Sequence, residues 1–215
     1  MRHILNSTLL LGFLMSCVPN DSTLEWWTQE DRQYVLAELN RTTAEIKNEI
    51  KDLTQAQWDF KENADRWSIG EIIEHLEMQN QLHYREITTA SKAPQYLQFR
   101  AITEGEDAHF TNYSTDSVLG TASWFLEPLG RFRTLKEGDY AFNKARGELI
   151  KFVEETHVDL RKQFTFRVPV EGRSISSLSI GEVRDLHQLL LTGIAHTDRH
   201  LRQIKNLKLH PGYPN

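Results

Sequence analysis

Between Thr28 and Leu53 the apolar side chains fall at Val35, Leu39, Ile46, Ile50 and Leu53, with Thr42 filling the gap. Steps of three, four and seven place them on one face of a 3.6-residue helix, so the pattern predicts a first amphipathic helix over 28–53. Residues 54–67 contain Asn63, Ala64 and Asp65 and read as a connection. The run Trp67-Ser68-Ile69-Gly70-Glu71-Ile72 then carries a helix start. Ser68 can accept a hydrogen bond from the first turn, Glu71 can reach back to it, and Trp67 can pack on Ile72. A second helix is expected to run to about Thr89. From Asp139 the positions Phe142, Ala145, Leu149, Phe152 and Thr156 repeat the stripe, predicting a third helix to about Gln163. Ser179-Ile180-Gly181-Glu182 repeats the tetrapeptide at Ser68, flanked by Leu178 and Val183. It is expected to open a fourth helix that continues to about Lys208.

Between these stretches the pattern breaks. Residues 90–138 hold Pro94, Gly105, Gly120, Pro128, Gly130 and Gly138 and suggest loop and short helix. Residues 164–168 alternate as a short β-like piece of local role. Four apolar stripes with one long excursion between the second and third predict an all-α four-helix bundle, the economical way to bury them. The amino terminus differs from the rest. Arg2 and His3 precede an apolar run over Leu9–Met15 that falls well short of the roughly 20 residues needed to span a bilayer, as in a secretory signal. Leu14-Met15-Ser16-Cys17 resembles a lipoprotein cleavage box. The expected organisation is a signal over 1–16, a tether over 17–27 with lipid on Cys17, a bundle domain over 28–208 and a tail over 209–215. A plain signal peptide with a free Cys17, on a secreted or periplasmic soluble protein, is the alternative.

Charge and cysteine content narrow the chemistry. With 25 Lys and Arg against 30 Asp and Glu, the formal charge is −5, and the basic residues are scattered. No basic footprint for nucleic acid results, so nucleic acid is not an expected partner. The single cysteine excludes an internal disulfide, a CxxC pair and a multi-thiolate metal site, so any metal must be held by histidine and carboxylate. Nine histidines are available. His196 and His200 are one helical turn apart, on the face that carries Leu189, Gly193, Ile204 and Leu207, together with Thr192 and Gln203. A glycine inside a helix costs about 1 kcal/mol relative to alanine, so Gly193 marks either a need for room or close helix packing. His75 shares a face with Glu71, Ile72, Gln79 and Leu82. His187 lies nine residues before His196, on the opposite face of the helix, and is not expected to join it. His83, His109, His157 and His210 read as surface or loop residues, Trp67 as a staple, and Asp198 and Arg199 as pointing away from the histidine face.

These motifs support a resemblance. Trp67-Ser68-Ile69-Gly70-Glu71-Ile72-Ile73-Glu74-His75-Leu76 resembles the W-S-x-x-E-x-x-x-H signature of the DinB/YfiT-like metalloenzymes. His196-Thr197-Asp198-Arg199-His200-Leu201-Arg202-Gln203-Ile204 is similar to their second signature, H-x-x-R-H-x-x-Q. Leu126 to Arg133, Phe142, Arg146 and Asp159 to Arg161 resemble the middle of such proteins. The resemblance implies an up-down-down-up bundle and a divalent metal, zinc or nickel, on His75, His196 and His200. Three imidazoles would leave open positions, as in a catalytic site. It further implies a small-molecule substrate, with a low-molecular-weight thiol activated for S-transfer. Hydrolysis is the alternative chemistry, because a lipoprotein faces an oxidising compartment. Glu71 is a candidate orienter or base beside the metal, although the capping box accounts for it fully. The expected setting is the bacterial cell envelope, reached through an N-terminal lipid, with a homodimer left open. A non-catalytic interaction lipoprotein with a structural metal, or none, is the competing class.

Overall fold

The computed structural model describes residues 25–112 and 122–215. The expected signal and Cys17 lie outside the described residues. Trp26 and Trp27, the last two residues of the expected tether, are buried, and their backbone N–H groups donate to the Asp159 carboxylate.

Helix α1 (Gln29–Ile50) starts at Thr28, which exchanges capping-box hydrogen bonds with Asp31. The connection after it contains a five-residue helix, α2 (Gln55–Asp59), capped in the same way by Thr54 and Gln57. Helix α3 (Ile69–Ala90) starts at the Ser68–Glu71 box, as the sequence predicts. The long excursion holds α4 (Arg100–Thr103), α5 (Asp107–Thr111) and short 3-10 turns. Helix α6 (Leu135–Glu155) begins earlier than Asp139, because Thr134 and Glu137 form a further capping box. It also stops short of Gln163. Residues 160–162 form a 3-10 turn capped by Asp159 instead.

The fourth helix departs most from expectation. Ser179-Ile180-Gly181-Glu182 does not open it. Gly181 adopts a positive φ of 88°, the chain enters strand β2 (Val183–Asp185), and α7 (Leu186–Lys208) begins only after Asp185, which caps it with Gln188. The β-like piece is therefore not local. Strand β1 (Phe164–Phe166) pairs antiparallel with β2 in the register Phe164 to Asp185, Thr165 to Arg184 and Phe166 to Val183.

Helices α1, α3, α6 and α7 form the bundle, with α1 and α3 each packed against both α6 and α7. Side-chain contacts fix their directions. Arg41 pairs with Asp198 and Lys208 with Glu49, so α1 and α7 run parallel. Arg32 at the start of α1 donates to the Thr156 carbonyl beyond the end of α6, so those two run antiparallel. His75 meets His196 while Arg184, just before α7, pairs with Glu86 near the end of α3, making α3 and α7 antiparallel. This is the up-down-down-up arrangement.

The core is divided along the bundle axis. One apolar cluster contains Leu39, Ile87, Leu149 and Ile194, and the other Ile46, Leu76, Phe142 and Leu201. Each long helix carries a buried polar residue between them: Thr42, Asn80, Arg146 and Thr197. The Arg146 Nη2 donates to Thr197 Oγ1 at 2.6 Å, and Thr197 donates to the Gly193 carbonyl. Burial pushes this guanidinium down to about 10. In the second cluster Trp58 of α2 lies where a Cβ on Gly70 or Gly138 would stand 2.5 or 2.6 Å from its ring. The two glycines admit the indole between α3 and α6.

Candidate metal centre

His75 sits on the second turn of α3, placed by the Ser68 cap, and His196 and His200 occupy consecutive turns of α7. Because the two helices are antiparallel and packed together, the three rings converge. The Nε2 atoms of His75 and His200 lie 2.8 and 3.1 Å from that of His196. One ligand nitrogen from each residue falls within a common 4.8 Å, a group that can hold a metal ion.

The second nitrogens identify the tautomers. His75 Nδ1 is 2.8 Å from the Leu126 carbonyl, which only accepts, so Nδ1 carries the proton and Nε2 presents a lone pair. His200 Nδ1 lies 2.9 Å from Gln203 Oε1, with the same consequence. Two lone pairs therefore face His196 Nε2, and a single N–H there cannot satisfy both. A cation among the three does. Zinc–imidazole bonds of about 2.0–2.1 Å would put the nitrogens roughly 3.3 Å apart, a small opening from the distances present. Burial keeps all three imidazoles neutral: the His75 value is lowered, that of His196 lies well below the usual range, and that of His200 falls to about 3. Neutral imidazole is the form that binds metal.

The surroundings hold these rings in place. Trp67 packs its ring 4.8 Å from His75 and stacks at 18° on His200, so this staple residue also covers the histidines. Next to His75, the buried Glu74 accepts from the backbone N–H groups of Leu129 and Arg131 and from Arg131 Nε, while Glu77 accepts from Arg131 Nη2. These bonds pin the loop whose Leu126 carbonyl orients His75. Glu71 makes different contacts. One oxygen accepts from the Ser68 N–H and the other from Lys61 Nζ at 2.6 Å, which are helix-capping and surface contacts.

A cavity of about 450 Å³ opens beside the cluster, with His75 and His196 in its wall along with Gln79, His83 and Thr192. Phe110, Ala122, Ser123, Phe125 and Leu126, from the excursion, supply another part of the lining. His83 departs from its expected surface position. It is buried, Gln79 Nε2 lies 2.6 Å from its Nε2, and a Cβ on Gly193 would stand 2.8 Å from its Nδ1. The room that Gly193 provides is thus occupied by the His83 ring. Burial first, and then the positive charges of Arg184, Arg146 and Arg167, lower its value to about 3.

His187 stays apart from the cluster, as expected. It is buried at the other end of α7, where its Nδ1 accepts from Trp27 Nε1 and burial, then Arg161, lowers it to about 4. His109 and His157 are exposed, and His109 also borders the cavity. Asp198 points away from the site and pairs with Arg41.

A family model described as the DinB superfamily matches residues 38–204, more than half of the chain. The chain belongs to the DinB superfamily. The matched region includes all three clustered histidines, both signature segments and the four bundle helices apart from the first nine residues of α1 and the last four of α7. No curated protein and no solved structure matches the chain.

Proposed function

We propose that the chain is a metal-dependent enzyme in which His75, His196 and His200 hold one divalent ion, zinc or nickel, and in which a small nucleophile is activated for attack on an electrophilic substrate. The observation that carries this reading is that three histidine nitrogens meet beside an open cavity, with His75 and His196 in its wall. A closed structural site would instead surround its ion with four protein ligands. When bound, the metal supplies Lewis acidity that makes a water or thiol anionic near neutral pH.

The chain's own residues do the rest. The Leu126 carbonyl and Gln203 hold the rings of His75 and His200 in the ligating tautomer, and Trp67 shields them from solvent on one side. Gln79 and Thr192 offer the bound molecule hydrogen-bonding groups. With no thiol of its own in the bundle, the protein must take any reacting sulfur from a substrate. Thiol transfer is the first reading and hydrolysis the variant that needs only water. An N-terminal lipid on Cys17, holding the domain at the cell envelope, is part of the same proposal and is tested by fatty-acid labelling of the full chain and of Cys17→Ala.

Metal analysis tests the centre. The purified chain is expected to carry about one equivalent of zinc or nickel, lost in His196→Ala and in His75→Ala. A folded chain that stays metal-free in metal-replete medium overturns the proposal. Cobalt substitution reads the open position, since an added thiol must produce a sulfur-to-cobalt absorption band. Its absence in a cobalt-loaded chain assigns the metal a structural role.

A further inference from the structure

The cavity wall carries charge that metal binding does not use. Its lining includes two guanidinium groups, Arg167 and Arg184, and one carboxylate, Glu86. Arg184 is 7% exposed and paired: Nη2 lies 3.0 and 3.2 Å from the two oxygens of Glu86, and Nε donates to Thr165 Oγ1. Glu86 is thereby neutralised. Arg167 stands differently. Its backbone is fixed, since it directly follows β1 and its N–H donates to the Glu182 carbonyl at 2.9 Å, yet among the described residues no carboxylate pairs with its guanidinium. Arg167 is exposed, and among the described residues it is the guanidinium of the lining without a carboxylate partner, in a cavity that His75 and His196 also line.

We propose that Arg167 is the anchor for a carboxylate on the substrate, which selects small monoanionic molecules whose opposite end lies at His75 and His196. The proposal rests on the reading of the histidines as a metal centre only for what that far end does. Three features support it. A guanidinium presents paired donors that match a carboxylate. After the Arg184–Glu86 pair is discounted, the described lining has one guanidinium to offset, which suits a monoanion. The volume of about 450 Å³ lies in the range of small-ligand sites, and Phe110, Phe125 and Leu82 provide an apolar surface for the carbon chain between the two ends. Arg184 backs the site by holding Glu86 away from the anion.

The test compares molecules that differ only in the charge. Cobalt-loaded chain is titrated with 3-mercaptopropionate, with 6-mercaptohexanoate and with their methyl esters, following the sulfur-to-cobalt band. At least one acid is expected to saturate at about ten- to a hundredfold lower concentration than its ester, the range of a hydrogen-bonded charge. In Arg167→Gln the acid and ester are expected to titrate alike, at the ester's concentration. Equal titration in the unaltered chain, or a preference that survives Arg167→Gln, overturns the proposal. If cobalt does not load, the metal reading fails by itself, and calorimetric titration of the metal-free chain with butyrate decides the anchor. Binding weakened at least tenfold by Arg167→Gln sustains it. Binding that is absent or indifferent to the substitution overturns it.

Discussion

Ser68-Ile69-Gly70-Glu71 and Ser179-Ile180-Gly181-Glu182 are the same four residues in the same chain, and they do different things. In both, the serine N–H donates to the glutamate carboxylate at 2.9 Å. In the first, Ser68 Oγ also accepts from the Glu71 N–H, the box closes on a helix, and the twenty-two residues of α3 are wound from it. In the second, the serine hydroxyl donates to Glu182, Gly181 turns into the left-handed region, and the chain pairs as β2. The two glycines are needed for different reasons. Gly70 is helical and gives way to the Trp58 ring, whereas Gly181 supplies a backbone angle. A capping box makes a helix start available, and the residues after the box decide whether a helix forms. Ile72, Ile73 and Leu76 continue a helical stripe after the first copy, while Val183 and Arg184 find partners in Phe166 and Thr165 after the second.

The largest expected effect tests the packing reason for Gly70. Trp58→Ala removes a fully buried indole and should destabilise the fold by about 3–5 kcal/mol, read as a shift in urea unfolding. A smaller loss would mean that α2 is not part of the core.

The next concerns the cap that does open α7, next to the buried His187. Its folded value of about 4 lies below the unfolded 6.5. The stability it contributes is therefore complete above pH 6.5 and is lost as pH falls towards 4, on the order of 3 kcal/mol. Unfolding measured across that window should fall more steeply for the unaltered chain than for His187→Gln. Parallel curves would show that His187 does not control this end.

The two glycines can then be set against each other. Gly70→Ala should cost about 1–3 kcal/mol through overpacking, and should become neutral or stabilising in a Trp58→Ala background, where the helix gains about 1 kcal/mol from alanine. Gly181→Ala should cost about 1–2 kcal/mol whether or not His109, 3.2 Å from the added Cβ, is also shortened to alanine. Rescue of Gly181→Ala by His109→Ala would make its problem steric, like that of Gly70. The smallest difference lies in the serines. Ser68→Ala should cost about 1 kcal/mol as the loss of a helix cap, and Ser179→Ala less than about 0.5 kcal/mol as an exposed turn change.

Much of the site is legible without the fold. The i, i+4 spacing of His196 and His200 and their apolar face follow from helical periodicity, which sets which side chains share a face, and the resemblance of both segments to the family signatures adds His75 to them. Gly193 signals a need for room without naming the occupant, since His83 approaches from another helix. Leu126 carries no signal at all, because its role uses a backbone carbonyl that every residue has. Glu74 reads as one more polar position in α3 until the excursion folds back and gives it two backbone N–H groups and Arg131 to bind. The start of α7 is misplaced by local pattern because the tetrapeptide at Ser179 satisfies the rule for a helix start. Only its strand partner, far back in the chain at residues 164–166, overrides that rule.

Side-chain identity and local periodicity, which act within a few turns of chain, are enough to specify the four amphipathic helices, the all-α class, the exclusion of a cysteine-rich metal site and the shared face of His196 and His200. Four other features need the folded chain: where the fourth helix begins, which tautomer His75 takes, what fills the space above Gly193 and which cation is left facing the cavity. Each of those depends on a partner more than fifteen residues away, and no local pattern records which distant group arrives.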